Sequence, residues 1–349
     1  RGRQSANSHN KSGFKAILTN NRQMEVGFHS APGLSATLQA LGFEIDVAQL
    51  SQGALDGRFR LGGSQQLPVF SIQTNQDLVL HGNRRPGVLP ISLNTTDQRP
   101  VVRGKETTPG SLHGFHAGLS DAFFQLPAGA HIQVALVSQT RFEQLATATG
   151  DHQTLEVIHR SNSANLLPQR FNEISALIEG QLLGGGQDDL VEVAVLEALS
   201  PHQLQGTASG ELGVGAGLMK DLVAWGFKNT GQAITLNDLC STIFASRSAI
   251  VHHSRKTFGT GPMALLKQIR LSQVQHALSS PEVQYTIGGS TVQEIACHYG
   301  FQSRNHFARD YRSQFGESPS ATLQRASDPG MSIQSVSVAQ TPQMAMALR

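Results

Sequence analysis

The stretch TVQEIACHYGFQSRNHFARDYRSQFGESP (291–319) decides the fold of the C-terminal third, because TLNDLCSTIFASRSAIVHHSRKTFGTGP (235–262) repeats its key residues. Each copy contains Ser-Arg, then ten residues before Phe-Gly, then two residues before Pro, and the shared residues lie 57 positions apart. A fixed period of this length is typical of a duplicated supersecondary unit.

Each copy is predicted to form a helix, a tight turn and a second helix. A threonine with an acid three positions later precedes each first helix, which is the pattern of a capping box. These pairs are Thr235 with Asp238 and Thr291 with Glu294. Serines are predicted to cap the second helices, and glycines to end them. These residues are Ser246, Ser303, Gly259 and Gly316.

The second helices are predicted to bury one face, formed by Ala249, Ile250 and His253 in copy one and by His306, Phe307, Tyr311 and Phe315 in copy two. A helix-turn-helix unit can place its second helix in a major groove, where Arg pairs with guanine and Asn with adenine. The candidate DNA-binding residues are Arg247, Ser248, Val251, His252, Arg255, Lys256, Ser303, Arg304, Asn305, His306, Arg309 and Arg312. Base readout is assigned to Arg304, Asn305 and Arg309 in copy two and to Arg247, Ser248 and His252 in copy one, with Lys256 and Arg312 on phosphate.

The residues between the copies, 263–278, have apolar side chains at helical spacing. A helix of sixteen residues is about 24 Å long. This length suits a connecting helix that sets two reading helices roughly one DNA turn apart.

The segment from about 219 to 326 resembles the DNA-binding domain of the AraC/XylS family of bacterial transcription regulators. The resemblance rests on S-R-S-A-I in copy one and on I-A-C-H-Y-G-F-Q-S-R-N-H-F-x-R-x-Y-R-x-x-F-G-x-S-P at 295–319. It also includes Lys267, Arg270, Leu271 and Leu278 of the connecting helix, and in all covers about a third of the chain. The sequence departs from the family at Ser248, Val251 and His252, where relatives often carry larger polar or basic residues.

The resemblance implies a cytoplasmic regulator that binds promoter DNA and RNA polymerase, and it favours an activator over a repressor. It also implies an N-terminal β-barrel sensor domain, with helices that pack on it and pair two subunits in a homodimer. The charge agrees with DNA binding: residues 219–326 hold eleven Lys and Arg against six Asp and Glu, while the rest of the chain is net acidic. The sequence does not identify an effector, a promoter or the sign of regulation.

The N-terminal region is predicted to be β, because short apolar runs alternate with turn residues at roughly ten-residue spacing. The runs are 43–50, 57–63, 68–74, 78–82, 87–94, 122–127 and 131–138. A small-molecule effector is expected in the interior of this domain. The alternative is a ligand-independent, architectural regulator whose N-terminal domain only dimerises.

Other sites in this region are weaker hypotheses. His113 and His116, with His81 and His131 further away, lack the nearby carboxylate that a metal site of this type needs, so exposed loop histidines are expected and no metal or cofactor. Arg84 and Arg85 in GNRRPG (82–87), with Arg99, could bind an anion, but a basic turn is more often simply solvated. Phosphate loops, nucleophile motifs and reactive cysteine pairs are absent, which argues against an enzyme.

The sequence therefore predicts an α+β chain in six segments. They are a disordered N-terminus (1–13) without a secretory signal, a β-rich barrel-like or sandwich-like regulatory domain (14–150), a helical region that is a candidate for dimerisation (151–200), a flexible linker (201–217), an all-α domain of two helix-turn-helix units joined by a linker helix (218–326), and a disordered tail (327–349). The helices of 151–200 serve either the dimer or only the local core. Cys240 and Cys297 are predicted to be small core residues of a reduced, intracellular protein, and no run is apolar enough to span a membrane.

Overall fold

A computed structural model describes residues 23–229, 231 and 234–327. Within these ranges the chain forms thirteen strands and thirteen helices, so the α+β class is confirmed. The predicted disordered N-terminus (1–13) lies outside the described residues, as does the predicted tail (327–349) from residue 328 onward. None of the described helices is both long and apolar enough to cross a membrane.

Each of the seven apolar runs forms a strand, as predicted, and six further strands bring the total in the described residues to thirteen. The strands are β1 (Met24–Phe28), β2 (Glu44–Gln49), β3 (Gly57–Gly63), β4 (Pro68–Thr74), β5 (Leu78–Asn83), β6 (Val88–Asn94), β7 (Val101–Val102), β8 (Lys105–Glu106), β9 (Ser111–His113), β10 (Asp121–Leu126), β11 (His131–Ser138), β12 (Ser161–Leu166) and β13 (Leu204–Ser209). One sheet has eight strands in the order β1-β3-β4-β11-β6-β9-β12-β13, and the other has five in the order β2-β5-β10-β7-β8. Both sheets are open, so the domain is a sandwich rather than a closed barrel.

The two sheets face each other across an apolar core. Alternate residues of the smaller sheet, such as Ile45 and Leu80, pack against Phe70, Ile72 and Val134 of the larger one. A helix that the sequence did not reveal, α1 (Ala31–Ala40), closes one end of this core with Leu34 and Leu38. The helix begins at Ser30, whose hydroxyl accepts the amide N–H of Gly33.

Four helices cover the other face of the eight-stranded sheet: α2 (Gln139–Ala148), α3 (His152–Arg160), α4 (Pro168–Leu182) and α5 (Asp188–Leu199). Ile174 and Ile178 of α4, with Val191 and Val195 of α5, pack on the sheet around Ile91. The predicted helical pattern of 171–199 is therefore present.

Of the six strands outside the predicted apolar runs, two also lie outside the predicted β-rich domain (14–150). β12 lies in the segment predicted to be helical, and β13 occupies the middle of the predicted linker (201–217). They pair antiparallel, with Ala164 opposite Thr207. Small and polar residues dominate both strands, so their pairing depends on neighbours distant in sequence rather than on an apolar alternation. The linker prediction is wrong for Leu204–Ser209.

The C-terminal domain is helical, as predicted. Its helices are α6 (Ala216–Lys228), α7 (Leu236–Thr242), α8 (Arg247–Phe258), α9 (Pro262–Ser279), α10 (Pro281–Ile287), α11 (Val292–His298), α12 (Arg304–Phe315) and α13 (Pro319–Ser327). The connecting helix predicted at 263–278 is α9. Leu265 and Ile269 of α9 pack with the first helix-turn-helix unit, whereas Val274 and Leu278 pack with the second.

The centre of the five-stranded sheet is buried on both faces because the C-terminal domain lies on its outer side. Ala48, Val79 and Phe123 point away from the sandwich core and pack against helices α6 and α9, around Leu222 and Ile269. The two domains are therefore joined by an apolar interface. This contact explains the continuous apolar run Leu-Val-Leu in β5, whose successive side chains enter different cores.

Candidate nucleic-acid interface

The first helices of both units start with the predicted capping boxes. The hydroxyl of Thr235 accepts the amide N–H of Asp238, and an Asp238 carboxylate oxygen accepts the amide N–H of Thr235 at 2.9 Å. Thr291 and Glu294 make the same reciprocal pair. Hydrogen bonds from Ser290 and Thr291 lower the pKa of Glu294. Both helices are thus fixed at their first turn.

The turns differ between the two units. In the second unit Gly300 adopts the left-handed conformation, with φ of 83°. In the first unit Phe244 adopts the left-handed conformation, with φ of 52°. Phe244 is 95% exposed. A side chain with a Cβ is strained in this region, so the glycine-free turn is formed at a cost in conformational energy.

The second helices, α8 and α12, begin and end at the predicted residues. Ser246 accepts the amide N–H of Ala249, whereas Ser303 occupies the corresponding position but its side chain makes no capping bond. Capping by Ser303 is therefore not observed. Both helices end at a left-handed glycine, Gly259 with φ of 69° and Gly316 with φ of 73°.

The two reading helices bury one face, largely as predicted. Ile250 in α8, and Phe307, Tyr311 and Phe315 in α12, are buried. His306 is exposed, so its assignment to the inner face was wrong. Its side chain is accessible to DNA, as its place among the candidate contacts requires. The buried faces orient the opposite faces of both helices toward solvent.

Most of the candidate DNA contacts lie on those open faces. The exposed ones are Arg247, Ser248, His252, Arg255, Lys256, Ser303, Arg304, Asn305, His306, Arg309 and Arg312. Val251 is half-buried, which leaves it less accessible than its neighbours. The structure therefore brings the predicted residues to the surface as two patches, one on each unit.

Several cations in these patches have no internal partner. Arg247, Arg304 and Arg312 form no ion pair with any described residue. Asp310 instead accepts Lys267 of α9 at 3.1 Å, and Arg309 lies 3.9 Å from the other carboxylate oxygen. Unpaired guanidinium groups at the start of a reading helix are available for base edges, and one in its last turn is available for phosphate.

The cysteines are placed differently from the prediction. Cys240 is half-buried beside the first core, but Cys297 is exposed and its sulfur accepts a hydrogen bond from Gln293. Both are free thiols. Position 297 lies on the outer face of α11, where helical spacing alone did not separate it from the core position of Ala296.

The N-terminal domain contains a cavity of about 90 Å³ between its two sheets, where an effector was expected. Its wall includes Phe43, Phe70, Phe124 and Arg84. Arg84 is buried, so the prediction of a solvated basic turn was wrong for this residue, while Arg85 and Arg99 are exposed.

The histidines of this domain do not form a metal site with acids or cysteines in any part of the chain that the structure describes. His113, predicted to be an exposed loop histidine, is buried on β9 and lines the cavity. Burial lowers the pKa of His113 to about 4, so it is neutral at physiological pH. His116, His81 and His131 are half-buried.

Comparison with known proteins gives matches to the C-terminal part of the chain. The family described as "Helix-turn-helix domain" matches residues 239–325. The "XylDLEGF operon transcriptional activator 2" of Pseudomonas putida is 34% identical over 96 residues, which are 28% of this chain and 59% of that protein. The "XylDLEGF operon transcriptional activator 3" of the same organism is also 34% identical, over 28% of each chain. The chain thus spans less than two thirds of the length of either relative.

Among solved structures, a probable AraC family transcriptional regulator from Rhodopseudomonas palustris is 35% identical, covering 30% of this chain and 93% of that chain, with a TM-score of 0.26. The helix-turn-helix match spans most of the first unit and all of the second. The C-terminal domain is therefore a helix-turn-helix domain of the AraC/XylS type.

Proposed function

We propose that this protein is a sequence-specific DNA-binding transcription activator whose two helix-turn-helix units read neighbouring major-groove segments of a promoter. The observation that carries the proposal is the pair of exposed faces on α8 and α12. Arg304 and Asn305 begin α12 and are exposed, whereas Phe307 and Tyr311 on its other face are buried. Activation would also require contact with RNA polymerase.

The connecting helix supports a two-headed reader. α9 has eighteen residues, which corresponds to a length of about 27 Å, and it contributes to the cores of both units. Adjacent major-groove segments on one side of DNA lie about 34 Å apart. One rigid helix thus holds two reading helices at a spacing of this order.

We test the function by selecting DNA bound by the full-length chain from a random library. The expected product is a motif of two half-sites about 10 base pairs apart. Arg304→Ala combined with Asn305→Ala should erase one half-site and leave the other. Selection of DNA without any motif would refute sequence-specific reading and favour an architectural DNA-binding protein.

Control by a small molecule is the finer part of the proposal. The cavity between the sheets supports it, because an apolar pocket with the buried Arg84 in its lining is typical of a small-molecule site. A domain that only dimerises does not require such a pocket. The smaller sheet also contacts helices α6 and α9 through apolar side chains. A structural change at the cavity would therefore be passed directly to the DNA-binding domain.

We also infer that two copies pair through α4 and α5. Leu190 and Val193 of α5, three positions apart on one helical face, are exposed at 50% and 40%, and Leu183, just after α4, is exposed at 63%. Exposed apolar side chains clustered on one face are typical of subunit contacts. Leu190→Glu should give a monomer in sedimentation velocity, whereas Val214→Glu, at another exposed apolar residue, should leave the dimer intact. A wild-type monomer at micromolar concentration would refute the pairing.

A further inference from the structure

A groove of about 160 Å³ lies between the two domains, separate from the cavity between the sheets. Helix α1 and strand β2 of the N-terminal domain form one wall. Helices α6 and α9 of the C-terminal domain, with Tyr299 just after α11, form the other. A cavity of about 150 Å³ admits benzene, so the groove has room for a ligand of roughly six heavy atoms.

Asp46 is the acidic side chain of this groove. Ile45 and Val47, its neighbours on β2, enter the core of the sandwich, so the Asp46 side chain points to the opposite face, toward the C-terminal domain. No described residue forms an ion pair or a hydrogen bond with its carboxylate. The loss of surrounding water raises the pKa of this carboxyl. Its cross-strand neighbour His81 brings no positive charge at neutral pH, because burial lowers the pKa of His81.

The two glutamines of the groove have only their amide oxygens free. Nε2 of Gln39 donates to the hydroxyl of Ser35 at 3.3 Å, and Nε2 of Gln273 donates to the carbonyl oxygen of Phe227 at 2.8 Å. These bonds fix the orientation of both amides and leave their Oε1 atoms as acceptors without a described donor. Gln39 is exposed, so its oxygen is directly accessible, whereas the oxygen of Gln273 is buried in the wall.

His276 adds a further acceptor. Its side chain is accessible to solvent, and the loss of surrounding water lowers its pKa, so the ring is neutral at physiological pH and one nitrogen can accept. No described residue forms a hydrogen bond with this ring. Phe227 and Tyr299 contribute aromatic rings to the same lining, and aromatic faces attract cations. The groove therefore combines an unpaired carboxylate, free acceptors and aromatic rings.

We propose that this groove binds a small primary ammonium ion, with the ammonium group on Asp46 and Gln39 and a short carbon chain against Phe227. An ammonium group has three donors and no acceptor, which matches a site whose free polar groups accept. A ligand with a carboxylate or a phosphate in this position would be repelled by Asp46. The inference goes beyond the proposed function and does not depend on the reading of DNA.

The ligand would contact both domains at once. Asp46 and Gln39 belong to the N-terminal domain, whereas His276 lies on α9, the helix that joins the two helix-turn-helix units. A ligand that binds only when both walls are in place stabilises their contact by mass action. The ammonium ion should therefore slow amide hydrogen exchange in residues 35–39 and also in residues 272–276. Protection confined to one wall would refute the bridging position.

The test uses the full-length chain without DNA, and four probes of similar size. Butylammonium, butanol, butyrate and tetramethylammonium are compared by calorimetry and thermal shift at constant ionic strength. Butylammonium should bind saturably and raise the melting temperature, whereas butanol and butyrate should bind about tenfold more weakly or worse, because a charge-assisted hydrogen bond is lost. Tetramethylammonium keeps the charge but has no N–H donor, so it should be similarly weak. Equal binding of butanol or tetramethylammonium, or no binding of butylammonium, would overturn the assignment.

Two substitutions on β2 locate the site. Asp46→Asn should weaken butylammonium binding about tenfold or more, and Gln39→Leu several-fold. Glu44→Gln is the matched control, because Glu44 is an exposed acid two positions before Asp46, on the same face of the strand and outside the groove. Unchanged affinity in Asp46→Asn, or an equal loss in Glu44→Gln, would overturn the assignment.

Lost binding is distinguished from lost folding by urea denaturation of the same variants. Asp46→Asn removes a desolvated charge that has no partner, so its denaturation midpoint should equal or exceed that of wild type. A lower midpoint would mean that the Asp46 carboxylate stabilises the chain itself, which would contradict an unpaired acid reserved for a ligand.

Discussion

At the scale of single residues, the two arginines of α12 should have separable effects on DNA binding. Arg304 is in the first turn of the helix and Arg312 in its last turn. Under the proposed function the first contacts a base edge and the second a phosphate. Arg304→Ala should cost about 1–3 kcal/mol on the preferred sequence and relax choice at one position. Arg312→Ala should weaken all DNA binding and reduce the slope of log K against log salt by about 1.

The measurement is a salt titration of both variants on selected and random DNA. Both side chains are exposed and make no ion pair with any described residue, so neither substitution should unfold the domain. Equal losses on selected and random DNA for Arg304→Ala would contradict its role as a base reader.

His113 should make stability depend on pH. Burial lowers its pKa in the folded protein to about 4, compared with about 6.5 in the unfolded chain. As pH falls below 6.5, the unfolded state binds a proton that the folded state does not, so stability is lost progressively until about pH 4. The shift corresponds to roughly 3 kcal/mol at 1.36 kcal/mol per pKa unit.

The check is urea unfolding of wild type and His113→Gln between pH 7.5 and 4.5. Gln is neutral and can still hydrogen-bond the Ser111 hydroxyl, which lies 2.8 Å from Nε2 of His113. The free energy of unfolding should fall less steeply with acid in the variant. Identical pH profiles would show that His113 is not the group responsible.

At the level of helices and strands, the residues at the two N-cap positions of the second unit should contribute differently to the free energy of unfolding. Thr291 accepts the amide N–H of Glu294 at 3.2 Å, whereas the side chain of Ser303 makes no capping bond. Thr291→Ala should cost about 1 kcal/mol of stability, and Ser303→Ala a few tenths of that. The comparison requires only the midpoints of denaturation, and a larger loss for Ser303→Ala would contradict the observed caps.

The helices and strands that could be predicted are those whose signals lie within a few residues in sequence. Alternating apolar runs predicted seven strands, and repeated caps and glycines predicted the two helix-turn-helix units, because these signals act within a few residues. β12 and β13 have no such signal, since their small polar residues become strands only by pairing with each other and with β9. Arg84 was interpreted as solvated for the same reason: its burial depends on Gly114, Asp121 and Asn162, which are distant in sequence.

At the scale of the whole molecule, the N-terminal domain holds the C-terminal end of a reading helix. Gln314 of α12 is buried, and its Nε2 donates to the carbonyl oxygens of Gln49 and Ser51, each at 3.0 Å. The carbonyl oxygen of Gln314 accepts the Gly53 amide and Nε2 of Gln49. The N-terminal domain thus fixes the position of α12 while Arg304 stays open at its other end.

Gln314→Ala should loosen the two domains without altering the DNA motif. The variant removes the donor from the buried carbonyl oxygen of Gln49, at a cost of about 1–3 kcal/mol. The half-buried carbonyl oxygen of Ser51 keeps its hydrogen bond from Nε2 of Gln49. Amide hydrogen exchange should accelerate in the last turn of α12 and in residues 49–53, while the sequence selected from random DNA stays the same. Gln302→Ala, at an exposed position just before α12, is the matched control. Unchanged exchange in residues 49–53 would mean that the apolar contact of Phe123 and Ala48 with α6 and α9 holds the domains together without these hydrogen bonds.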